Sequence, residues 1–224
     1  ATTKKTAEPF FHCEIKKTNR YQQINQLIYD IFPVFEQIVP REQKENKLKQ
    51  KSVVIWFTGL SGAGKTTLAV ALEKELFQRG FLTQILDGDN IRSGINNNLK
   101  FSPEDRTENI RRIAEVSKLF LNCGIITLCA FVSPTQDIRQ LVRNIVGTEN
   151  FYEIFVSTPV EVCEQRDVKG LYAKARSGEI KDFTGINAPF EIPTDANFVI
   201  DTSLQSVETN VEILLKELLP IITK

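Results

Sequence analysis

The sequence predicts an α/β fold in which a parallel five-stranded sheet is covered by helices on both faces. From residue 53 onward, five short runs of β-branched and aromatic residues alternate with stretches of helical periodicity. This alternation is typical of a parallel sheet that is buried between helices. The first run also leads directly into a glycine-rich loop and then a helix, which is the setting in which a phosphate-binding loop is found.

The predicted elements follow one another in regular order. Strands are predicted at Val53–Phe57, Thr83–Leu86, Ile125–Phe131, Phe151–Val156 and Phe198–Ile200. Helices are predicted at Lys65–Gln78, Pro103–Cys123, Thr135–Val146, Val160–Arg166 and Ser206–Leu219. Ser102 suits the start of a helix because its hydroxyl can accept a hydrogen bond from the first turn, and Pro103 fits that turn because its missing N–H would have no partner there. Gly80 and Gly124 stand where helices are expected to end.

Residues 1–50 differ in character from the rest, and we predict an N-terminal helical extension of unknown role followed by a domain at 51–224. Tyr21–Val39 carries apolar residues at roughly helical spacing, interrupted by Pro33. Arg41–Lys51 is a run of mixed charge, which is typical of a solvated helix face or a linker. We expect the extension to pack on the core or on a second subunit.

The segment after the first strand has the sequence Gly-Leu-Ser-Gly-Ala-Gly-Lys-Thr-Thr, which fills every fixed position of the phosphate-loop motif G-x-x-x-x-G-K-[ST]. In such a loop, backbone N–H groups close around phosphate oxygens and the following helix points its positive dipole end at them. Lys65 adds a positive charge for the β- and γ-phosphates, and the Thr66 hydroxyl can bind Mg²⁺. A glycine-rich turn that carries a lysine by chance is the alternative, but both flanks fit the motif. We therefore predict a nucleoside triphosphate site formed by Gly59, Leu60, Ser61, Gly62, Ala63, Gly64, Lys65, Thr66 and Thr67.

Candidate groups for chemistry follow the second predicted strand. Asp87 and Asp89 come directly after it, and carboxylates beside a phosphate loop can hold Mg²⁺ or accept the proton of an attacking hydroxyl. A simple Asp-Gly turn is the alternative, but the position at the carboxyl end of a strand favours function. Arg92, Arg106 and Asn109 predict a second anion site, because arginine prefers multi-oxygen anions. Arg106 and Asn109 would also share one helix face.

Two further segments are candidates at the same edge of the sheet. Ser133 follows the third strand and could either contact a substrate or cap the next helix, and the residues alone leave both open. The connection at 167–190 is basic in its first half and punctuated by glycine and proline in its second. A long charged connection of this kind is typical of a lid, which excludes water when it closes over phosphates. A surface loop without function is the alternative.

The overall composition argues against several classes of function. The 28 lysine and arginine residues balance 28 aspartate and glutamate residues, so no net charge favours nucleic acid or an anionic membrane as a partner. No run approaches the ~20 apolar residues that span a bilayer. The four cysteines, Cys13, Cys123, Cys129 and Cys163, lie far apart, and we expect reduced thiols of a cytoplasmic protein.

Several segments in consistent order together resemble the adenylylsulfate (APS) kinase family. They are Gly59–Thr67, Leu86–Arg92, Phe101–Arg106, Glu108–Ile113, Arg166–Tyr172 and Phe183–Ile186. The resemblance extends from about Lys51 to Thr202. It implies a P-loop fold of the nucleotide-kinase type and transfer of the γ-phosphoryl group of ATP to the 3′-hydroxyl of adenosine 5′-phosphosulfate (APS), which gives PAPS in sulfate activation. It also implies Mg²⁺ as the cofactor.

The resemblance further implies catalytic and metal-binding roles for individual residues. Lys65 would contact the transferred phosphoryl group, and Thr66 and Asp87 would hold the metal. Asp87 would also lie beside the acceptor hydroxyl. Ser133 occupies the position of a phosphoserine intermediate, but direct in-line transfer needs no covalent step. A hydrogen bond from Ser133 to the substrate is therefore the simpler expectation.

The residues that the resemblance assigns to APS are Asp89, Arg92, Phe101, Arg106, Asn109, Ser133, Lys174 and Phe190. Phe101 and Phe190 would sandwich the adenine, and Lys174 would reach the phosphates from the lid. The two arginines and Asn109 would hold the phosphosulfate and the ribose. The chain departs from the family pattern at Ser93, Lys100, Asp182 and Asn187, which bears on substrate affinity and not on the type of reaction.

Two other functions remain as alternatives to an APS kinase. Another small-molecule kinase of the same fold would explain the loop and the lid, but not two phenylalanines beside an arginine pair. A nucleotide-dependent switch would need an effector-facing loop and typically an N-K-x-D stretch that reads guanine, and the sequence has no such stretch. For partners, we expect ATP, APS and a second copy of the chain, and we consider association with an ATP sulfurylase.

Overall fold

A computed structural model describes residue 34 and residues 37–224. The chain divides into two compact units, Ala1–Ile38 and Val39–Lys224, and every helix and strand given below lies in the second unit. The predicted helical pattern at Tyr21–Val39 falls almost wholly outside the described residues.

The second unit begins earlier than the predicted boundary at residue 51, because the segment before that boundary packs on the core. Arg41 donates hydrogen bonds to the Ser52 hydroxyl and to the Asn150 side chain, both at 2.8 Å. The Gln50 side chain is fully buried and donates to the carbonyl oxygen of Gly124 at 2.8 Å. The run of mixed charge therefore belongs to the domain through specific hydrogen bonds.

The strands are β1 (Val54–Thr58), β2 (Thr83–Asp87), β3 (Ile126–Ala130), β4 (Phe151–Val156) and β5 (Phe198–Ile200). The helices are α1 (Arg41–Leu48), α2 (Lys65–Gln78), α3 (Gly88–Ser93), α4 (Pro103–Asn122), α5 (Gln136–Val146), α6 (Val160–Arg166), α7 (Leu171–Arg176) and α8 (Val207–Ile222). A 3₁₀ turn at Thr148–Asn150 precedes β4. The predicted strands and helices are all present, and the largest difference is at the end of α8, which continues through Pro220. Helices α3 and α7 were not predicted, since six residues are too few to show a helical period.

All five strands are parallel and lie in the order β2-β3-β1-β4-β5. Successive side chains of a strand point to opposite faces. Ile55 and Phe57 accordingly lie in one core with α2 and α8, whereas Val54 and Trp56 lie in a second core with α4 and α5. All four of these β1 side chains are fully buried, and the predicted α/β fold with helices on both faces is confirmed.

The parallel arrangement gathers the candidate functional residues at one edge of the sheet. The central strand β1 leads into the phosphate loop, β2 ends at Asp87, and β3 is followed by Ser133. The strand order changes direction at β1, with β3 on one side and β4 on the other. Ligands of open α/β sheets bind in the crevice at such a point.

Two further features concern the described part of the chain only. None of its helices is both long and apolar enough to cross a membrane. Cys123, Cys129 and Cys163 are free thiols, and the last two are buried.

Candidate active site

The phosphate loop connects β1 to α2 in a conformation that requires glycine. Gly62 and Gly64 have φ angles of +75° and +97°, which side chains with a Cβ rarely adopt. A Cβ on Gly62 would lie 2.9 Å from the carbonyl oxygen of Cys163. The loop therefore lies directly against α6, which contains Cys163, and no larger residue fits at this point.

The carbonyl oxygens of Ser61–Ala63 accept hydrogen bonds from side chains outside the loop. The donors are the Tyr172 hydroxyl (2.8 Å), the Arg166 guanidinium (3.2 Å), the Thr158 hydroxyl (3.1 Å) and the Thr202 hydroxyl (2.8 Å). These contacts fix the peptide groups of a loop of the kind whose backbone N–H groups bind anions. The sequence analysis did not predict this support, although Arg166 and Tyr172 are the first and last residues of one of the segments that resemble the family.

Lys65 begins α2 and lies almost buried beneath the loop, with 8% of its surface exposed. Its Nζ donates to the Leu60 carbonyl oxygen at 2.6 Å. The pKa of Lys65 is lowered to about 8, mainly by burial; Cys163 and Asp87 oppose the shift, and the nearby Lys169 charge contributes a smaller lowering. A bound polyphosphate would favour the charged form of this lysine, because an anion nearby raises the pKa of an ammonium group.

Thr66 and Asp87 form the oxygen pair that was predicted as the metal site. The Thr66 hydroxyl donates to Asp87 Oδ2 at 2.7 Å, while Asp87 Oδ1 accepts from the backbone N–H of Asp89 at 3.0 Å and caps α3. A hydroxyl and a carboxylate beside a phosphate loop are the hard oxygen ligands that Mg²⁺ prefers, with phosphate and water completing its shell. The donor set fits this ion, and the described residues contain no cluster of three or more His, Cys, Asp or Glu side chains that could hold a metal by itself.

The segment 167–190, here called the lid, contacts the far side of the phosphate site. Asp167 accepts hydrogen bonds from the N–H groups of Tyr172 and Ala173 in the first turn of α7. Lys169 forms an ion pair with Asp89. Lys174, which the sequence singled out, is half-exposed and lies 3.6 Å from Glu179. The lysine that reaches across to α3 is therefore Lys169.

The structure brings Arg92, Phe101 and Arg106 together. The Arg92 guanidinium lies 4.4 Å from the centre of the Phe101 ring, an arrangement of cation over aromatic face that is attractive. Arg106 donates to the Phe101 carbonyl oxygen (2.9 Å), the Asp182 carbonyl oxygen (2.7 Å) and the Thr184 hydroxyl (3.1 Å). Arg106 thus connects the lid to the segment that carries Phe101.

Asn109 and Ser133 have protein partners in the interior. Asn109 is 5% exposed and its side-chain oxygen accepts from Asn96 at 2.9 Å. Ser133 is 1% exposed and its hydroxyl accepts a hydrogen bond from the Trp56 indole at 2.9 Å. This geometry favours a positioning role for Ser133, so its predicted contact with substrate stays untested.

Phe190 lies at the end of the lid and stacks on Phe155, with ring centres 5.8 Å apart and planes at 19°. It borders a cleft of about 570 Å³ that is also lined by Leu60 and residues 185–189. Phe101, in contrast, is 65% exposed. Among the aromatic pairs of the described residues, Phe101 and Phe190 do not stack on each other, and the adenine sandwich stays a prediction.

Comparison with known proteins relates this fold and site to one family. The family model described as adenylylsulphate kinase matches residues 51–201. The chain is 63% identical to the adenylyl-sulfate kinase of Bacteroides thetaiotaomicron over 194 residues, which are 87% of this chain and 96% of that protein. The match covers the phosphate loop, the arginine and phenylalanine segment and the lid.

Solved structures agree with this result. The Mycobacterium tuberculosis APS kinase in complex with AMPPNP and APS matches with a TM-score of 0.72 and 40% identity, over 75% of this chain and 98% of that one. A hexameric APS kinase from Thiobacillus denitrificans matches with a TM-score of 0.58 and 28% identity, over 76% of this chain and 29% of that one. The predicted fold, enzyme class and family are confirmed. This chain belongs to the adenylylsulfate kinase family.

Proposed function

We propose that the phosphate loop, the Thr66–Asp87 pair and the Arg92–Phe101–Arg106 cluster form the active site of an enzyme that phosphorylates APS with ATP. The γ-phosphoryl group of ATP is transferred to the 3′-hydroxyl of the APS ribose, and the products are PAPS and ADP. The observation that carries this proposal is that a complete phosphate loop and a separate arginine cluster lie at one edge of the sheet and both contact the lid, through Tyr172 and Asp182 respectively. A 40% identical relative bears an ATP analogue and APS together.

The donor side is formed by Gly59–Thr67. Its N–H groups surround the β- and γ-phosphates of ATP, and the α2 N-terminus faces them. When ATP binds, Lys65 gives up its hydrogen bond to the Leu60 carbonyl oxygen, which is 2.6 Å from Nζ, and contacts oxygens of the γ-phosphoryl group instead. Phosphoryl transfer needs little covalent chemistry from a protein, so positioning and neutralisation of charge account for most of the rate.

Thr66 and Asp87 are the residues that would hold Mg²⁺. The ion supplies neutralisation of the charge on the phosphate oxygens. Asp87 has a second part in the reaction, because its carboxylate lies at the end of β2 beside the position of the acceptor and accepts the proton of the attacking 3′-hydroxyl. In-line attack on the γ-phosphorus then requires no phosphorylated enzyme, and Ser133 acts through its structural contacts.

The acceptor side is formed by α3, the start of α4 and the lid. Arg92 and Arg106 bind the phosphosulfate through their guanidinium groups, with Asn109 beneath them and Asp89 at the rim. Phe101 and Phe190 lie on the two faces of the adenine, since base stacking on aromatic rings is favourable for any purine. Lys174 on α7, together with Lys169, brings positive charge from the lid toward the phosphates.

The proposed assembly extends to partners. A homodimer is our prediction for this chain, and association with an ATP sulfurylase is considered because that enzyme would supply APS directly. The relative from Thiobacillus denitrificans is hexameric, so oligomers occur within the family. Mass measurement of the full chain in solution, alone and with a sulfurylase, tests both points.

The reaction is tested by one coupled assay. Purified protein is incubated with ATP, magnesium and APS, and ADP release is compared with that for adenosine, gluconate and shikimate as acceptors. We expect that, of the four acceptors, only APS leads to ADP release, and that PAPS forms in an amount equal to the ADP. Activity with gluconate or adenosine and none with APS would contradict the proposal and favour another kinase of the same fold.

Arg106 provides a prediction that separates the acceptor from the donor. Replacement by alanine removes a charged partner of the phosphosulfate and two hydrogen bonds to the lid, so the APS Michaelis constant should rise by roughly 30-fold or more. The ATP Michaelis constant should change little. The control is Arg111→Ala on the same helix, where the side chain is exposed and pairs with Glu108 at 2.7 Å. Equal loss of affinity for both substrates would mean that Arg106 serves the donor site or the fold.

A further inference from the structure

A buried group of charges lies beneath the site and has no part in the proposed reaction. Glu153, in the middle of β4, is fully buried. Its Oε2 accepts a hydrogen bond from Arg143 Nη2 at 2.6 Å, and its Oε1 lies 3.2 Å from Arg139 Nε in an ion pair without hydrogen-bond geometry. Arg143 also pairs with Asp195. Charges at this depth are costly to bury and are weak evidence of stabilisation. These buried charges are therefore better explained by the neighbouring residues that they hold in place.

Arg139 holds the turn that follows β3. Its Nη1 donates to the Ser133 carbonyl oxygen at 3.0 Å. Ser133 has φ of +45°, a left-handed conformation that a serine adopts only when its surroundings impose it. The Trp56 indole holds the Ser133 hydroxyl at 2.9 Å, and the Thr58 hydroxyl approaches the same carbonyl oxygen at 3.3 Å. Of these three donors, Arg139 alone carries a charge.

The turn 132–134 lies between the two halves of the active site. On one side, the Val132 carbonyl oxygen accepts from the Thr58 hydroxyl at 2.8 Å and from the Gly59 N–H at 3.4 Å, where the phosphate loop begins. On the other side, the Pro134 carbonyl oxygen accepts from the Glu191 N–H at 2.8 Å, directly after Phe190. The Glu191 carboxylate in turn accepts from the Gln136 N–H at 2.6 Å. A displacement of the turn would therefore move the end of the lid.

We propose that Arg139, held by Glu153, is a positioning residue for the acceptor nucleotide. It keeps Ser133 in its left-handed conformation and thereby sets the place of Glu191 and Phe190 at the end of the lid. This inference rests on the proposed function, because it concerns the same APS site. The phosphate loop has separate supports in Tyr172, Arg166, Thr158 and Thr202, so loss of the Arg139 contact should affect APS and spare ATP.

The test compares Arg139→Lys with Arg143→Lys in the full chain. Each change keeps both positive charges beside Glu153 and replaces one guanidinium group by an ammonium group, but of the two arginines only Arg139 contacts Ser133. The Michaelis constants for APS and ATP, kcat and the melting temperature are measured on the same samples. We expect Arg139→Lys to raise the APS Michaelis constant by roughly five- to tenfold with that of ATP within about twofold. Arg143→Lys should lower the melting temperature to a similar extent without changing the APS value.

A second variant does not depend on the stability of the buried charges. Glu191→Ala removes an exposed side chain and with it the bond to the Gln136 N–H, so the fold should be unaffected and the APS Michaelis constant should rise severalfold. Glu191→Ala tests the step of the inference that joins the turn 132–134 to the end of the lid, which must hold whether or not Arg139→Lys can be purified folded. An unchanged APS value in Glu191→Ala, or equal APS values in the two lysine variants, overturns the inference. Absence of APS phosphorylation by the unaltered enzyme is a different result, because it overturns the proposed function itself.

Discussion

Replacement of Lys65 by alanine is expected to lower kcat by about 10²- to 10³-fold while the protein remains folded. The Nζ group is the mobile positive charge of the phosphate loop, and its loss leaves the charge on the transferring phosphoryl group without this partner. Stability should be unchanged or slightly higher. The lysine is almost buried, and burial lowers its pKa to about 8, so the fold accommodates this cation at a cost.

The measurement is kcat for PAPS formation together with the melting temperature of the same sample. Lys74→Ala is the matched control, because Lys74 lies on the same helix with its side chain exposed to solvent. Both quantities should be near normal in this control. Near-normal turnover in Lys65→Ala would contradict the prediction, because it would show that the Lys65 charge does not assist transfer of the phosphoryl group.

Replacement of Asp87 by asparagine is expected to lower kcat by about 10²- to 10⁴-fold, the usual range for loss of a general base. Asparagine has the same shape, and its oxygen can still accept from the Asp89 N–H and cap α3, as Asp87 does at 3.0 Å. The negative charge is lost, however, and with it the affinity for Mg²⁺ and for the acceptor proton. The fold should therefore persist while the chemistry fails.

Two measurements distinguish the role of Asp87 in metal binding from its role in proton transfer. If metal binding accounts for part of the loss, the magnesium concentration needed for half-maximal rate should rise in Asp87→Asn. A loss at saturating magnesium reports the role in proton transfer. Glu212→Gln makes the same chemical change on the exposed side of α8 and should leave the rate unaltered. A variant of Asp87 with more than half of the normal kcat would mean that this residue only caps α3.

The elements of the fold could be predicted from the sequence because each depends on neighbours along the chain. The period of apolar residues specifies a strand or a helix within a few positions, and the phosphate loop is a run of consecutive backbone groups that its glycines make visible. The gathering of Gly59–Thr67, Asp87 and Ser133 at one edge followed from the parallel sheet. Arg92, Arg106 and Asn109 were predicted as an anion site from their residue types, whereas the assignment of Phe101, Lys174 and Phe190 to APS came only from resemblance to a family.

Other parts of the site depend on contacts between residues that lie far apart in the chain. Lys169 and Asp89 are separated by 80 positions, and Trp56 and Ser133 by 77. In the sequence, an arginine on a solvated helix face looks the same as Arg139, which is buried against Glu153. Only packing distinguishes the two, because burial turns a charge that water would screen into one that must be paired. Local patterns therefore specified the sheet, the loop and the family. Tertiary packing decided the rest, because it depends on how the helices pack on the two faces of the sheet. It produced the side-chain support of the phosphate loop, the ion pair of Lys169 with Asp89 and the left-handed turn at Ser133.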